Sequence, residues 1–275
     1  MRSRPTGSYA EPLAISSQGA SLSFGQRTLW QDLDLAVKAG EYFAVLGPNG
    51  SGKSTLLKVI LGLLPLSGGS IEVLGQPARK GRIEIGYIPQ QRALPANTPL
   101  RARDLVAMGL DGHRWGPRLP SAKHRARVDE LLEAVGASHY GNSPVGLLSG
   151  GEQQRLRIAQ ALAHRPKILL ADEALLSLDI NHQYAVAELI RNFNKEEGGT
   201  VIFVTHEINP IIDHVDRVLY LAHGRFTVGS VAEVMRSEVL SELYQSPVTV
   251  LRAQGRYVVV GGDNDQPHCG QELLG

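Results

Sequence analysis

Nine residues constrain the fold of this chain more than any others. The run GPNGSGKST, residues 47–55, satisfies the pattern G-x-x-x-x-G-K-[ST] at Gly47, Gly52, Lys53 and Ser54. It sits between an apolar YFAVLG and a helically spaced KSTLLKVILGLL, the strand-to-helix context that a phosphate loop requires. The glycines permit a backbone path that turns successive N–H groups inward toward phosphate oxygens. Lys53 then reaches the β- and γ-phosphates, the Ser54 hydroxyl binds Mg²⁺, and the helix dipole favours the same anion. Pro48, Asn49, Gly50, Ser51 and Thr55 complete the candidate ATP-binding loop. Glycine-rich turns before helices are common, but four fixed positions match by chance only about once in a hundred chains of this size.

A loop of this kind needs a parallel sheet, and the sequence supplies further strands for it. ILLAD at 168–172 and VIFVTH at 201–206 are short, branched and without alternation, as strands buried on both faces read. Each is followed by a helical pattern, NHQYAVAELIRNF after the first and a shorter PIIDHVD after the second, so the core reads as three-layer α/β. ASLSFGQRTLWQDLDLAVKAG reads as an antiparallel pair turning between Phe24 and Arg27, and RVLYLAHGRFTVG as another turning at His223 and Gly224. From Arg92 to Ser143 the texture is helical, in PLRARDLVAMGL and AKHRARVDELLEAVGA, around a Gly/Pro-rich DGHRWGPRLPS. We read an inserted helical subdomain over about 92–165, a C-terminal hairpin over 247–262, and tails over 1–12 and 263–275.

Composition narrows the partners. The 28 basic and 27 acidic residues of the 275 nearly cancel, which leaves no field suited to nucleic acid. The single cysteine, Cys269, has nothing to pair with in the chain and fits a reducing compartment. The N-terminus does not read as a secretory signal, and no run of eighteen apolar residues is present, so a membrane role would be exercised through partners.

Two acids end the second buried strand. Asp172 suits the Mg²⁺ shell and Glu173 the polarisation of an attacking water, although strand-end acids also cap helices. A phosphate loop alone fits a kinase, a GTPase or a motor equally well. LLSGGEQQRLRIAQALAHRP selects among them, because it resembles the signature segment of the ATP-binding cassette (ABC) family through Leu148, Ser149, Gly150, Gly151 and Glu152. Gln90 in YIPQQ resembles the Q-loop, LLSLD ending at Asp179 the D-loop, and His206 in VTHE the switch histidine. Phe24 stands where the family places an adenine-stacking aromatic. Taken singly, Gln90 reads as a solvated loop residue, His206 and Asp179 as caps, and Phe24 as hairpin packing.

The resemblance implies a P-loop NTPase (RecA-like) three-layer core with an antiparallel β subdomain and an inserted α-helical subdomain. It also implies an ATPase with ATP and Mg²⁺ as ligands, the metal held by Ser54, Gln90 and Asp172, and Glu173 and His206 as the catalytic residues. The signature and Asp179 would act in trans, on ATP bound to the other subunit of a head-to-tail homodimer. Separate integral membrane permease subunits would dock on the ATPase at the cytoplasmic side of the cell membrane. An extracytoplasmic substrate-binding protein would be reached indirectly. THEINPIIDHVDRVLYLAHGRF and LSELYQSPVTVLR look most like the ATPases of zinc and manganese uptake systems. Transport of another substrate and a soluble non-transport ABC ATPase are the alternatives. His182, His214 and His223 lack ligand-like spacing and read as exposed. The chain departs from the family at Ala174 and Leu175, where proline and threonine or serine are usual, and less tightly gated hydrolysis is the expected consequence.

Overall fold

The computed structural model describes residues 12–90, 94–112, 121–176 and 178–261. Both tails except Pro12, the centre of the Gly/Pro-rich linker, Ser177 of the D-loop and Cys269 lie outside the described residues.

β1 (Leu13–Phe24) and β2 (Arg27–Lys38) form the expected antiparallel pair, with Phe24 opposite Arg27. β3 (Tyr42–Leu46) delivers the chain to the phosphate loop and α1 (Lys53–Ile60) leaves it. β4 (Gly68–Val73) and β5 (Gln76–Pro77) join β1 and β2 in a four-stranded antiparallel sheet. β6 (Ile85–Ile88) then enters the central sheet just before Gln90. The helical stretch carries α2 (Ala102–Asp111), α3 (Ala122–Ala134) and α4 (Gly150–Ala161). The chain returns through β7 (Ile168–Asp172), α5 (Ile180–Glu197), β8 (Thr200–Val204), β9 (Arg217–Ala222) and β10 (Arg225–Gly229). It closes with α6 (Val231–Val234), α7 (Ser237–Tyr244) and a separate hairpin of β11 (Val248–Ala253) and β12 (Arg256–Gly261).

The central sheet has the order β10-β9-β3-β8-β7-β6 and is parallel except for β10. Its strands explain why the sequence shows no alternation there. Tyr42, Ala44, Leu169, Ala171, Val201 and Phe203 belong to one apolar core, and Phe43, Val45, Ile168, Leu170, Ile202 and Val204, interleaved with them, to a second. The first core holds residues of α2 to α5 and α7, and the second holds residues of α1 and the antiparallel sheet. Each fully buried large side chain contributes about 1.5–3 kcal/mol, so a polar residue is tolerated only at a strand end.

Two expectations are corrected. PIIDHVD forms only a 3₁₀ turn at Ile212–His214, where Ile211 at the N-cap offers no side-chain acceptor to satisfy the first N–H groups of a helix. His182 and His214 are half-buried. His182 bonds Asp179 and His214 tilts against the Tyr42 ring at 6.4 Å, while His223 is exposed as expected. Five elements went unread in the sequence: β4, β5, β6, α6 and α7, all of two to eight residues.

Candidate functional site

The site begins where β3 ends. Gly47 has φ 141°, and a Cβ there would fall on the Leu221 carbonyl oxygen, so only glycine lets the loop lie this close to β9. Gly52 has φ 100° and caps α1, and a Cβ on it would meet the Trp30 ring at 2.6 Å. Trp30, fully buried, therefore supports the loop from β2. Arg27 braces it from the same strand by donating to the Gly50 carbonyl at 2.9 Å.

Lys53 and Ser54 follow on the first turn of α1. The Lys53 ammonium donates to the carbonyls of Gly47 at 2.7 Å and Pro48 at 3.0 Å and lies 3.9 Å from Glu173. Burial pushes its pKa below the usual lysine range, and the charges of Glu173 and Asp172 push back. The Ser54 hydroxyl donates to Asp172 Oδ1 at 2.8 Å, and the Tyr87 hydroxyl to Oδ2 at 3.3 Å. Burial lifts the Asp172 carboxyl above its ordinary range, outweighing the lowering by those two hydrogen bonds. Tyr87 is pushed up to about 12, by burial first and then by the Asp172 charge.

Glu173, one residue beyond β7, takes φ 50° and donates its backbone N–H to the Val204 carbonyl at 2.9 Å. That bond fixes the acid to the neighbouring strand without the proline absent at Ala174. Its Oε2 lies 2.8 Å from His206 Nδ1. With Nδ1 donating to that oxygen, Nε2 is the ring nitrogen left for another partner.

Phe24 and Gln90 face Asn49, Gly50, residues 52–55 and Glu173 across a cleft of about 480 Å³. Phe24 is 52% exposed there, and a large aromatic left unpacked beside a phosphate loop is available for stacking. Thus the cleft gathers Phe24, the loop, Gln90 and Glu173, with Asp172 reached through Ser54 and His206 through Glu173. One hydroxyl beside one carboxylate is a hard-oxygen donor pair, and the buried set Lys53, Asp172 and Glu173 sums to one negative charge, so these residues fit Mg²⁺.

The signature residues do not line that cleft. Ser149 caps α4 in a full capping box: its Oγ accepts from Glu152 N at 3.3 Å, and its N–H donates to Glu152 Oε2 at 2.8 Å. Leu147 beside it is 72% exposed. Gly151 packs under the His182 ring, and Asp179 caps α5, accepting from His182 N at 3.0 Å. Gln153 spends its whole amide on ordering the loop before α4. It donates to the carbonyls of Val145 at 3.2 Å and Leu148 at 3.1 Å and accepts from Leu94 N at 3.1 Å, four residues past Gln90. Sequence reading missed Tyr87, Arg27, Trp30 and Gln153. Of these only Tyr87, three residues before Gln90 in the same strand-and-loop run, had a local signal.

A phosphate loop on the central strand of a parallel sheet, with an acid pair and a histidine at adjacent strand ends, defines a P-loop nucleoside triphosphatase. The comparisons narrow the class. A family model described as ABC transporter matches residues 30–176. The chain is 33% identical over 235 residues to the zinc transport system ATP-binding protein TroB of Treponema pallidum (strain Nichols), covering 86% of this chain and 88% of that one. It is 36% identical over 210 residues to the zinc import ATP-binding protein ZnuC of Yersinia pestis bv. Antiqua (strain Antiqua), covering 76% of each. Among solved structures, the ATP-binding cassette MJ0796, a dimer in a post-hydrolysis state with ADP and Pi, aligns with a TM-score of 0.65 and 29% identity. That alignment covers 78% of this chain and 97% of MJ0796. The chain belongs to the ABC transporter family, as an ATP-binding subunit that hydrolyses ATP. Among the described residues no helix is long and apolar enough to cross a membrane.

Proposed function

We propose that this chain powers the import of a divalent metal ion, zinc in the first instance, by ATP-driven head-to-tail dimerisation beneath separate membrane subunits. One observation carries the dimer: the γ-phosphate cleft is lined by Lys53, Ser54 and Glu173, with Asp172 bonded to Ser54 and His206 to Glu173 behind them, while the Ser149 helix N-terminus lies outside it. An anion-ready helix start with an exposed apolar neighbour at Leu147 is the shape expected of the other half of a shared site. The relatives' names support the metal.

Ser54 and Asp172, with Gln90, would hold Mg²⁺, whose charge offsets that of the β- and γ-phosphates. The chain's own residues do the rest. Phe24 stacks on the base, the loop N–H groups and Lys53 hold the phosphates, and Glu173 accepts a proton from a water molecule as the water oxygen bonds to the γ-phosphorus. The bond from that phosphorus to the β-γ bridging oxygen breaks, giving ADP and phosphate. His206 orients Glu173 through Nδ1 and has Nε2 for the departing phosphoryl group. Ser149 and Gly151 of the partner subunit cap the γ-phosphate, so ATP favours the closed pair. Reversing a 1:99 population takes about 5.5 kcal/mol of differential affinity, within reach of two such sets of charge-assisted bonds.

Glu173→Gln is expected to bind ATP normally, stop turnover and accumulate as a dimer on size-exclusion chromatography with ATP. Ser149→Arg is expected to bind ATP yet remain monomeric. Undiminished turnover in the first variant would remove Glu173 as the base, and an ATP-dependent dimer in the second would remove the signature from the interface.

A further inference from the structure

The hairpin β11–β12 takes no part in the chemistry above and pairs with neither larger sheet. A two-stranded hairpin is marginal by itself in water, so what holds it is informative. Two serines of α7 anchor one strand. Ser237 Oγ accepts from Val250 N at 2.9 Å, and Ser241 Oγ accepts from Val248 N at 2.9 Å and donates to its carbonyl at 3.1 Å. The other strand is fastened to elements of the ATPase site. Asn209, three residues beyond His206, donates through Nδ2 to the Tyr257 carbonyl at 2.8 Å and accepts through Oδ1 from Tyr257 N at 2.9 Å. Arg256 donates to the Tyr184 hydroxyl at 2.6 Å on α5, the helix that starts from Asp179.

The loop carrying His206 needs such support. Ile208 and Ile211 bury its apolar side, and Thr205 N donates to the Val45 carbonyl at 3.1 Å, while among the described residues Thr205 Oγ1 bonds only within the loop, to Glu207 N at 3.1 Å and Glu207 O at 3.0 Å. Its other flank borders an open cavity of about 490 Å³, lined also by Pro48, Tyr220, Tyr244 and Tyr257. Asn209 and Tyr257 both line that cavity, and the two-way amide pair between them ties the loop to the hairpin there. Such a pair acts like one rung of a sheet and fixes both distance and direction.

We propose that Asn209 is a positioning residue for His206, and that the C-terminal hairpin, through Tyr257, is the part of this chain that holds the switch loop in register with Glu173. The proposal rests on the reading of His206 as the residue that orients Glu173. Losing the pair lets the loop tilt into the cavity, and a shift of about 1 Å at a reacting group costs on the order of a hundredfold in rate. Nucleotide binding is spared, because the phosphate loop is braced separately by Trp30 and Arg27.

The test is steady-state hydrolysis of Mg²⁺-ATP by the full-length chain carrying Asn209→Ala, Asn209→Asp, His206→Ala, or Asn209→Ala with His206→Ala. Asn209→Asp keeps the side-chain size and the bond from Tyr257 N but sets a carboxylate oxygen against the Tyr257 carbonyl. It guards against a folding defect in the alanine variant, and thermal midpoints are read for both. Both Asn209 variants are expected to lower kcat by about ten- to a hundredfold with KM for ATP within about twofold. The double variant is expected to match His206→Ala alone, since Asn209 acts through His206. Wild-type kcat in the Asn209 variants while His206→Ala is inactive overturns the hairpin's role alone. A further additive loss in the double variant does the same, by marking a merely structural contribution. Full turnover in His206→Ala overturns the reading of the site and the positioning role with it.

Discussion

Asp172 shows at the scale of one residue how the site is built at the expense of the fold. The residue is 5% exposed, and burial raises its pKa despite the bonds from Ser54 and Tyr87. A folded-state value above the unfolded one means the ionised form weakens the fold at neutral pH, and that penalty fades as pH falls through the raised value. Asp172→Asn is therefore expected to raise the thermal midpoint of the nucleotide-free chain at pH 7, at about 2–4 °C per kcal/mol for a chain of this size. The gain should vanish in a melting series taken below about pH 4, where folded and unfolded carboxyls are both protonated. Turnover in the presence of Mg²⁺ is lost at every pH. A midpoint that falls at pH 7 would show that Mg²⁺-free Asp172 is a net stabiliser. Residues 47–55 were legible because a phosphate loop is contiguous and its spacing is the chemistry. Trp30 and Arg27 were not, because each touches the loop from β2 and nothing in a linear pattern records which elements are neighbours.

Among elements, the buried strands and the three hairpin turns followed from composition and turn chemistry. β9 and β10 turn through His223 and Gly224, and β11 and β12 through Gln254 and Gly255, all four at positive φ, the geometry that two-residue hairpins need. Short helices escaped notice: α7 is anchored by tertiary contacts such as Ser241 on β11, and the four residues of α6, though Ser230 and Glu233 close a capping box on them, are too few to show a helical period. The meeting of α4 and α5 was also invisible, since it joins Gly151 to His182 across 31 positions of sequence. The His182 ring lies where a Gly151 side chain would be, and its Nδ1 is 2.6 Å from Asp179 Oδ2. Gly151→Ala is accordingly expected to destabilise the chain by about 1–3 kcal/mol through overpacking. His182→Ala in the same chain should restore most of that loss in denaturant unfolding. If the second substitution restores nothing, the two helices do not meet through this pair.

For the whole molecule the inference runs through partners. Deleting this chain from its host should lower zinc accumulation. The wild-type chain should restore it and Lys53→Ala should not, with manganese accumulation measured in parallel. A defect confined to manganese would reassign the metal, and no defect in either would leave an ABC ATPase with a different cargo. The sequence by itself determined the three-layer core, the phosphate loop, the strand-end acids and the order of motifs, because each depends on neighbours within one turn or one strand. Tertiary structure decided the rest. It set Glu173 against His206 from adjacent strands, tied Asn209 to Tyr257 across 48 residues, and left the signature outside the cleft that its sequence suits. Those contacts join positions far apart in the chain, and only the packing of the sheet against its two cores determines which distant residues meet.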